Sequence, residues 1–225
     1  MDPKKRDSSL EIGAGGNLAV PGGGGGWDDE GMKRLALFFS GTGGNALNLL
    51  AACRDGRLPA QVVLGVASTS KAPGIARLEA EAVPVRVALR SAHPDDAAYS
   101  AACYALAEAA GADLIALCGW LKKLEVPPAW EGRIVNIHPG LLPAFGGPGM
   151  WGMHVHRAVL AAGAAESGCT VHLVDNLYDH GRILAQARVP VLAGDTAEAL
   201  QQRVYEQEMR LYPVALAEYL RTPTA

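Results

Sequence analysis

Several features that are common in proteins are scarce or absent in this sequence. Aromatic residues make up only 6% of the 225 residues, and no apolar run approaches the ~20 residues that span a bilayer. Lysine and arginine total 20 against 23 acidic residues, which gives a net charge of -3. We therefore predict a protein without a membrane partner, and without the basic excess that tight binding to nucleic acid needs.

Cysteine is also scarce, and its spacing excludes the common zinc motifs. The sequence has no CxxC pair and no histidine at zinc-finger distance from a cysteine. His154 and His156 are two residues apart and would point to different sides of a helix, so we predict no metal. We expect free, buried thiols in a reducing, cytoplasmic compartment for the four cysteines, Cys53, Cys103, Cys118 and Cys169.

The first 31 residues differ from the rest of the chain. They contain a run of five glycines and no sustained hydrophobic period, which favours disorder. They also lack the apolar core of a secretory signal and the repeated Arg/Ser pattern of a transit peptide. We predict a disordered tail over residues 1–31 and one folded domain over residues 32–225.

From residue 34 onward, short apolar runs alternate with helical segments. Continuous apolar strands between helices imply an α/β fold with a mainly parallel, Rossmann-like sheet, helices on both faces and a mixed last part. A final helix is expected from Thr196, with Pro213 as a kink or a break. The predicted strands cover residues 35–39, 62–67, 83–87, 114–118, 134–138, 169–174 and 183–192, and earlier helices cover residues 46–53, 95–110 and 154–162.

A glycine-rich loop, SGTGGN at residues 40–45, follows the first predicted strand. Ligands of open α/β sheets bind beyond the carboxyl ends of strands, where a helix amino terminus offers free N–H groups. The spacing is neither GxGxxG nor GxxxxGK[ST], so neither a dinucleotide nor a nucleoside triphosphate is indicated. Two interpretations stay open: a ligand-free turn and a site for a single phosphate group.

Asn136 and His138 lie at the end of an apolar predicted strand, two residues apart. Residues two apart in a strand point to the same face of the sheet. An amide can donate to a developing oxyanion, and a protonated histidine can donate and relay a proton, as acyl transfer to an amine requires. Asp179, in a later turn, could favour the imidazolium and orient it. Taken singly, each of these residue types is more often structural.

Seven motifs together resemble the phosphoribosylglycinamide formyltransferase family, over residues 32–220. The resemblance implies the formyltransferase fold and transfer of a formyl group from 10-formyltetrahydrofolate to the amine of glycinamide ribonucleotide. A homodimer is left open. The motifs are SGTGGN at 40–45, CGWLKKL at 118–124, NIHPGLLPAF at 136–145, GMHVHRAV at 152–159, TVHLVD at 170–175, YDHGRILAQ at 178–186, and QE at 207–208 followed by YP at 212–213.

The resemblance also implies roles for individual residues. Asn136 and His138 would stabilise the tetrahedral oxyanion, and Asp179 would hold His138 charged and help to order a proton-carrying water. For Leu121 and Leu124, a position in the hydrophobic core is the alternative interpretation. The implied binding residues are Gly43, Gly44 and Asn45 for the phosphate, Glu208 for the ribose, and Leu121, Lys122, Lys123, Leu124 and Asp175 for the folate.

The sequence departs from the family at several positions, and alternatives remain. Many members have Ser where this chain has Gly44, Arg where it has Lys122 and Asp96, and a small residue where it has His180. The rival interpretations are another 10-formyltetrahydrofolate enzyme, such as a deformylase or a sugar-amine formyltransferase, and a non-catalytic folate or nucleotide binding module.

Overall fold

The computed structural model of the chain describes residues 10–12 and 32–221. Within them, eight strands form one sheet, and two single 3₁₀ turns lie at Arg90–Ala92 and Pro128–Trp130. The strands are β1 (Leu10–Ile12), β2 (Lys33–Phe39), β3 (Ala60–Ala67), β4 (Val85–Val87), β5 (Leu114–Leu117), β6 (Ile134–His138), β7 (Glu166–Leu173) and β8 (Ile183–Pro190). The helices are α1 (Gly44–Arg54), α2 (Gly74–Glu79), α3 (Asp96–Ala109), α4 (Met153–Ala161) and α5 (Ala197–Arg221).

The sheet has the strand order β1-β8-β7-β6-β5-β2-β3-β4. All neighbours from β6 to β4 in that order run parallel. By contrast, β7 runs antiparallel to both β6 and β8, and β1 pairs with β8 in parallel. The predicted mainly parallel sheet with a mixed last part is therefore confirmed.

Alternate residues of β2 divide the core into two halves, one on each face of the sheet. Leu35, Leu37 and Phe39 pack into a cluster that includes side chains of α1, α4 and α5. Ala36 and Phe38 pack into the other cluster, to which α3 contributes. Because successive side chains of a strand point to opposite faces, an apolar run such as this one needs helices on both sides. The predicted helices on both faces are confirmed.

Helix α5 continues through Pro213, so of the two predicted alternatives the break is wrong and the kink stays a prediction. Proline has no N–H, and inside a helix it leaves the carbonyl four residues earlier without its usual donor. That carbonyl belongs to Met209, and the Asn48 side chain of α1 donates to it at 2.8 Å. A neighbouring helix thus supplies the hydrogen bond that the proline removes.

The strand β1 lies inside the segment that the sequence predicts to be disordered. It places Leu10–Ile12 beside Ala185–Ala187 of β8, a pairing that the sequence did not predict. A segment of three residues can add to an open sheet edge through its backbone groups alone, which leaves little trace in the hydrophobic pattern. The rest of the predicted tail lies outside the described residues, so disorder there stays a prediction.

Candidate active site

A cavity of about 480 Å³ opens where β6, the glycine-rich segment after it and α5 meet. Its walls come from the loop after β5, the segment 147–152, the turn between β7 and β8, and one face of α5. Residues from all three predicted groups, catalytic, phosphate-side and folate-side, line it: Asn45, Leu121, Lys122, Asn136, His138, Asp179 and Glu208.

His138 and Asp179 face each other in this cavity. The Nδ1 atom of His138 lies 3.6 Å from Oδ1 of Asp179, and its Nε2 atom lies 2.9 Å from the carbonyl oxygen of Phe145. A carbonyl only accepts, so Nε2 carries a hydrogen and Nδ1 is the nitrogen that faces the carboxylate. The backbone N–H of Gly147 donates to the other Asp179 oxygen at 2.9 Å. The Phe145 carbonyl thus orients the His138 ring, and the Gly147 N–H orients the Asp179 carboxylate.

His172, which the sequence did not single out, joins Asn136 to Asp179. It stands opposite Asn136 in the β6–β7 pairing, with its Nε2 3.1 Å from the Asn136 amide nitrogen and 3.7 Å from Asp179 Oδ1. Its Nδ1 lies 2.8 Å from the Leu173 carbonyl, to which it donates. Burial lowers the pKa of His172, so the ring is neutral and its Nε2 accepts from the amide. The TVHLVD motif was the one signal for His172 in the sequence. The strand register that places His172 opposite Asn136 could not be predicted from the sequence.

The turn that carries Asp179 has an unusual backbone. Asp179 adopts φ +52°, a left-handed conformation that aspartate tolerates better than most side chains. Two residues later, a Cβ on Gly181 would overlap the carbonyl oxygen of Leu173. The turn can therefore press against the end of β7 only with glycine at that position, and this close approach brings the Asp179 carboxylate to the two histidines.

Asp175 stabilises the same turn rather than lining the cavity. Its carboxylate accepts from the Leu177 N–H at 2.8 Å and lies 2.9 Å from Nδ1 of His180. Partial burial acts to raise the pKa of Asp175, but the hydrogen bonds from His180 and the Leu177 N–H, together with the nearby histidines, outweigh it and the pKa is lowered. Its predicted contact with folate stays a prediction, and its observed partners are all within the turn.

The phosphate-side residues meet where α1 begins. Gly43 caps this helix at φ +71°, and the side chain of Asn45 donates to Glu208 at 2.8 Å. The Oδ1 atom of Asn45 is buried without a hydrogen-bond partner among the described residues. Burial raises the pKa of Glu208 to about 7, against the opposing effect of the Asn45 hydrogen bond. The structure thus brings together residues 163 positions apart.

The residues predicted to bind folate separate into two groups. Leu121 is 51% exposed and lines the cavity with Lys122. Leu124 is buried in the core cluster beneath α3, which matches its alternative interpretation as a core residue, and Lys123 lies 4.0 Å from Glu125 away from the cavity lining. The exposed side chains of Trp151 and Tyr178 add apolar wall; the family resemblance implied the loop 175–179 that contains Tyr178, whereas Trp151 was not indicated.

His156 is a second buried histidine in the cavity wall. Burial, followed by the nearby His138, lowers the pKa of His156 to about 4, so it is uncharged at neutral pH. Its Nδ1 atom has no hydrogen-bond partner among residues 32–221. His156 therefore adds a polar atom to the wall, and no charge that would compete with His138.

Two kinds of feature are absent from the described part of the chain. No three His, Cys, Asp or Glu side chains there are grouped so that they could hold a metal ion. No helix there is both long enough and apolar enough to cross a membrane. The predictions of no metal and of a cytoplasmic location are not tested by these absences and stay predictions.

The cavity lies at the carboxyl end of β6, and the segment that contains its Asn, His and Asp side chains matches a known family. Residues 33–216 match the family model described as formyl transferase. The chain belongs to the formyl transferase family. The family resemblance inferred from the motifs is confirmed, and every site residue discussed above falls inside the matched segment.

Two relatives and one solved structure show what this formyl transferase is similar to. It is 42% identical over 183 residues to phosphoribosylglycinamide formyltransferase, chloroplastic, of Arabidopsis thaliana, covering 80% of this chain and 63% of that one. It is 32% identical to phosphoribosylglycinamide formyltransferase of Haemophilus influenzae, covering 82% and 86%. The crystal structure of glycinamide ribonucleotide transformylase 1 from Symbiobacterium toebii superposes with a TM-score of 0.79 at 37% identity, covering 84% and 88%. The chain thus spans less than two thirds of the plant relative.

Proposed function

We propose that this chain transfers a formyl group from 10-formyltetrahydrofolate to the amine of glycinamide ribonucleotide, a step of purine biosynthesis. The observation that carries the proposal is the convergence of Asn136, His138 and Asp179 on one cavity, with the histidine 3.6 Å from the carboxylate. Support for the substrates comes from relatives named phosphoribosylglycinamide formyltransferase, one of which this chain covers over 86% of its length.

In the proposed reaction the substrate amine attacks the formyl carbon, and the protein stabilises the oxyanion that forms. The Asn136 amide donates one of its hydrogens to His172, and its second N–H is available to the oxyanion. His138, when it carries both ring hydrogens, is a second, charged donor beside Asp179. Asp179 then keeps the imidazolium oriented and, through an ordered water, receives the proton that the amine loses. When the intermediate collapses, the bond between the formyl carbon and the folate nitrogen breaks, and the same water returns that proton to the leaving nitrogen.

The two ends of the cavity suit the two proposed substrates. The amino terminus of α1, with Gly43, Gly44 and Asn45, is suited to a phosphate group, and Glu208 lies beside it for the ribose. The other end has the apolar walls that a pterin ring needs, including the half-exposed Leu121 and Trp151. 10-Formyltetrahydrofolate would supply the activated formyl group there, and no metal is part of the proposal.

A formyl-transfer assay with both substrates tests the proposal. Wild-type protein should turn over glycinamide ribonucleotide, and Asp179→Asn should lower kcat about 10²–10⁴-fold because the general acid–base function is lost. Asp113→Asn, an equivalent change at an aspartate that binds the backbone of Arg34, should leave kcat unchanged. A lack of wild-type turnover, or full turnover by Asp179→Asn, would overturn the mechanism. Formate release without an amine acceptor would indicate the deformylase alternative.

A further inference from the structure

The side chain of Tyr205, on α5, occupies the space above Gly44 at the start of α1. A Cβ atom built on Gly44 would overlap the Tyr205 hydroxyl oxygen and lie 3.2 Å from Cζ of the ring. The next nearest atom is Cε2 of the same ring, at 3.6 Å, so the three nearest atoms all belong to Tyr205. Because residue 44 has no side chain, the Tyr205 hydroxyl can occupy the space that a Cβ atom would fill.

That hydroxyl lies in the wall of the cavity and is not used by the fold. Tyr205 is half-buried and lines the cavity together with Asn45 and Glu208. Among residues 32–221, no group forms a hydrogen bond with its oxygen, whereas the buried Tyr212 hydroxyl lies 3.1 Å and 3.0 Å from two backbone carbonyls. A polar atom left without a partner in a cavity wall is suited to a ligand atom.

The surroundings of the hydroxyl favour a donor to an anion. Burial, and after it the Glu208 carboxylate, raises the pKa of Tyr205, while Arg77 opposes the shift. The hydroxyl therefore keeps its hydrogen at neutral pH. Arg77 donates to the carbonyl of Thr42 at 2.7 Å, which holds a positive charge next to the same loop. The Tyr205 hydroxyl and the Arg77 guanidinium thus both lie beside the segment from Thr42 to Gly44 that leads into α1.

We propose that Tyr205 is a specificity-determining residue whose hydroxyl donates a hydrogen bond to the phosphate of the nucleotide substrate, and that Gly44 leaves the room this hydroxyl needs. The inference rests on the proposed function, because it assumes that the phosphorylated substrate binds at the start of α1. It assigns to α5 a direct part in phosphate recognition, in addition to the proposed contact of Glu208 with the ribose.

Calorimetric binding in the absence of any formyl donor tests this role. The probes are glycinamide ribonucleotide and the corresponding ribonucleoside, which lacks the phosphate. In Tyr205→Phe, the Kd of the nucleoside divided by the Kd of the nucleotide should fall about tenfold. This is the loss expected for a hydrogen bond to a charged group. Tyr104→Phe removes a hydroxyl that also lacks a hydrogen-bond partner but is buried in the core cluster beneath α3, and it should leave the ratio unchanged.

A change at Gly44 gives an independent measurement. In Gly44→Ala the obstructing atom is the tip of a side chain, so we expect the ring to move aside and the protein to stay folded. The Kd ratio should fall as in Tyr205→Phe, and the double variant should lose no more than Gly44→Ala alone, because both changes remove one contact.

The two proposals fail in different ways. An unchanged Kd ratio in Tyr205→Phe, or a wild-type protein that binds the nucleoside as tightly as the nucleotide, overturns the role of Tyr205. A wild-type protein that prefers the nucleotide but transfers no formyl group overturns the proposed function and leaves the role of Tyr205 supported.

Discussion

Glu208 and His156 face the same cavity, and burial shifts their pKa values in opposite senses. Burial disfavours the charged form of any group. It therefore raises the pKa of Glu208 to about 7 and lowers that of His156 to about 4. At pH 7 the cavity thus has a neutral His156 and a Glu208 close to its midpoint. The proposed phosphate end becomes more negative as the pH rises through 7.

The Glu208 carboxyl should make stability depend on pH. Between the ordinary pKa of 4.5 and about 7, the folded state binds more protons than the unfolded state, so this group's contribution falls as pH rises through that window and stays low above it. The full loss is about 3 kcal/mol. Glu208→Gln should therefore gain in free energy of unfolding relative to wild type at pH 8 but not at pH 4, as measured by urea denaturation.

Glu206→Gln, two residues earlier on α5 and exposed, is the matched control and should follow the wild-type pH dependence. His156 acts in the opposite direction, because its lowered pKa costs stability as pH falls from 6.5 towards 4. Since wild type and Glu208→Gln both contain His156, the contribution of His156 cancels when their free energies of unfolding are compared. A difference between wild type and Glu208→Gln that is the same at both pH values would contradict the assignment.

His172 should act on the reaction through Asn136. With His172→Ala, the Asn136 amide loses the acceptor that orients it at 3.1 Å, and kcat should fall about tenfold to a hundredfold with a smaller change in KM. His172→Gln offers a replacement acceptor of similar reach and should recover part of the loss. Steady-state kinetics measure both variants. Equal kcat values for Ala and Gln would show that orientation of the amide is not the role of His172.

At the scale of the elements, patterns with a single clear period were predictable from the sequence. The apolar run ending in Asn136 and His138 predicted residues 134–138, and the structure has β6 at Ile134–His138. Helix α2, at Gly74–Glu79, is too short to show a helical period and was missed. The register that puts His172 opposite Asn136 was also out of reach, because it depends on how β7 pairs across the sheet.

The contact between α1 and α5 at Pro213 can be tested as an interaction. Asn48→Ala leaves the Met209 carbonyl without its donor at 2.8 Å, which should cost about 1–3 kcal/mol of unfolding free energy. Pro213→Ala restores an N–H that can bond to the same carbonyl. In the Pro213→Ala background, the cost of Asn48→Ala should therefore be smaller, as a double-mutant cycle by chemical denaturation would measure. Equal costs in both backgrounds would argue against this compensation.

At the scale of the whole molecule, the candidate site exists only because the topology joins distant segments. Asn45, Asn136, Asp179 and Glu208 come from four elements or turns and line one cavity. Tyr212 stabilises this arrangement, since its hydroxyl lies against backbone carbonyls of both β5 and β6. Composition and periodicity could place each residue at the end of an element. The convergence of Glu208 with Asn45 was available only through the family resemblance.

The amino-terminal segment should be dispensable for catalysis, because every proposed site residue lies within residues 32–221. Deleting residues 1–31 removes the edge strand β1 from its neighbour β8. It should therefore lower the free energy of unfolding by about 1–3 kcal/mol, the worth of a few backbone hydrogen bonds, and leave kcat within about twofold. Deleting residues 1–9 retains β1 and should change neither quantity. Formyl-transfer kinetics and urea denaturation of the three proteins decide between these outcomes. A loss of turnover in the longer deletion alone would mean that the segment from residue 10 to 31 contributes to the active site.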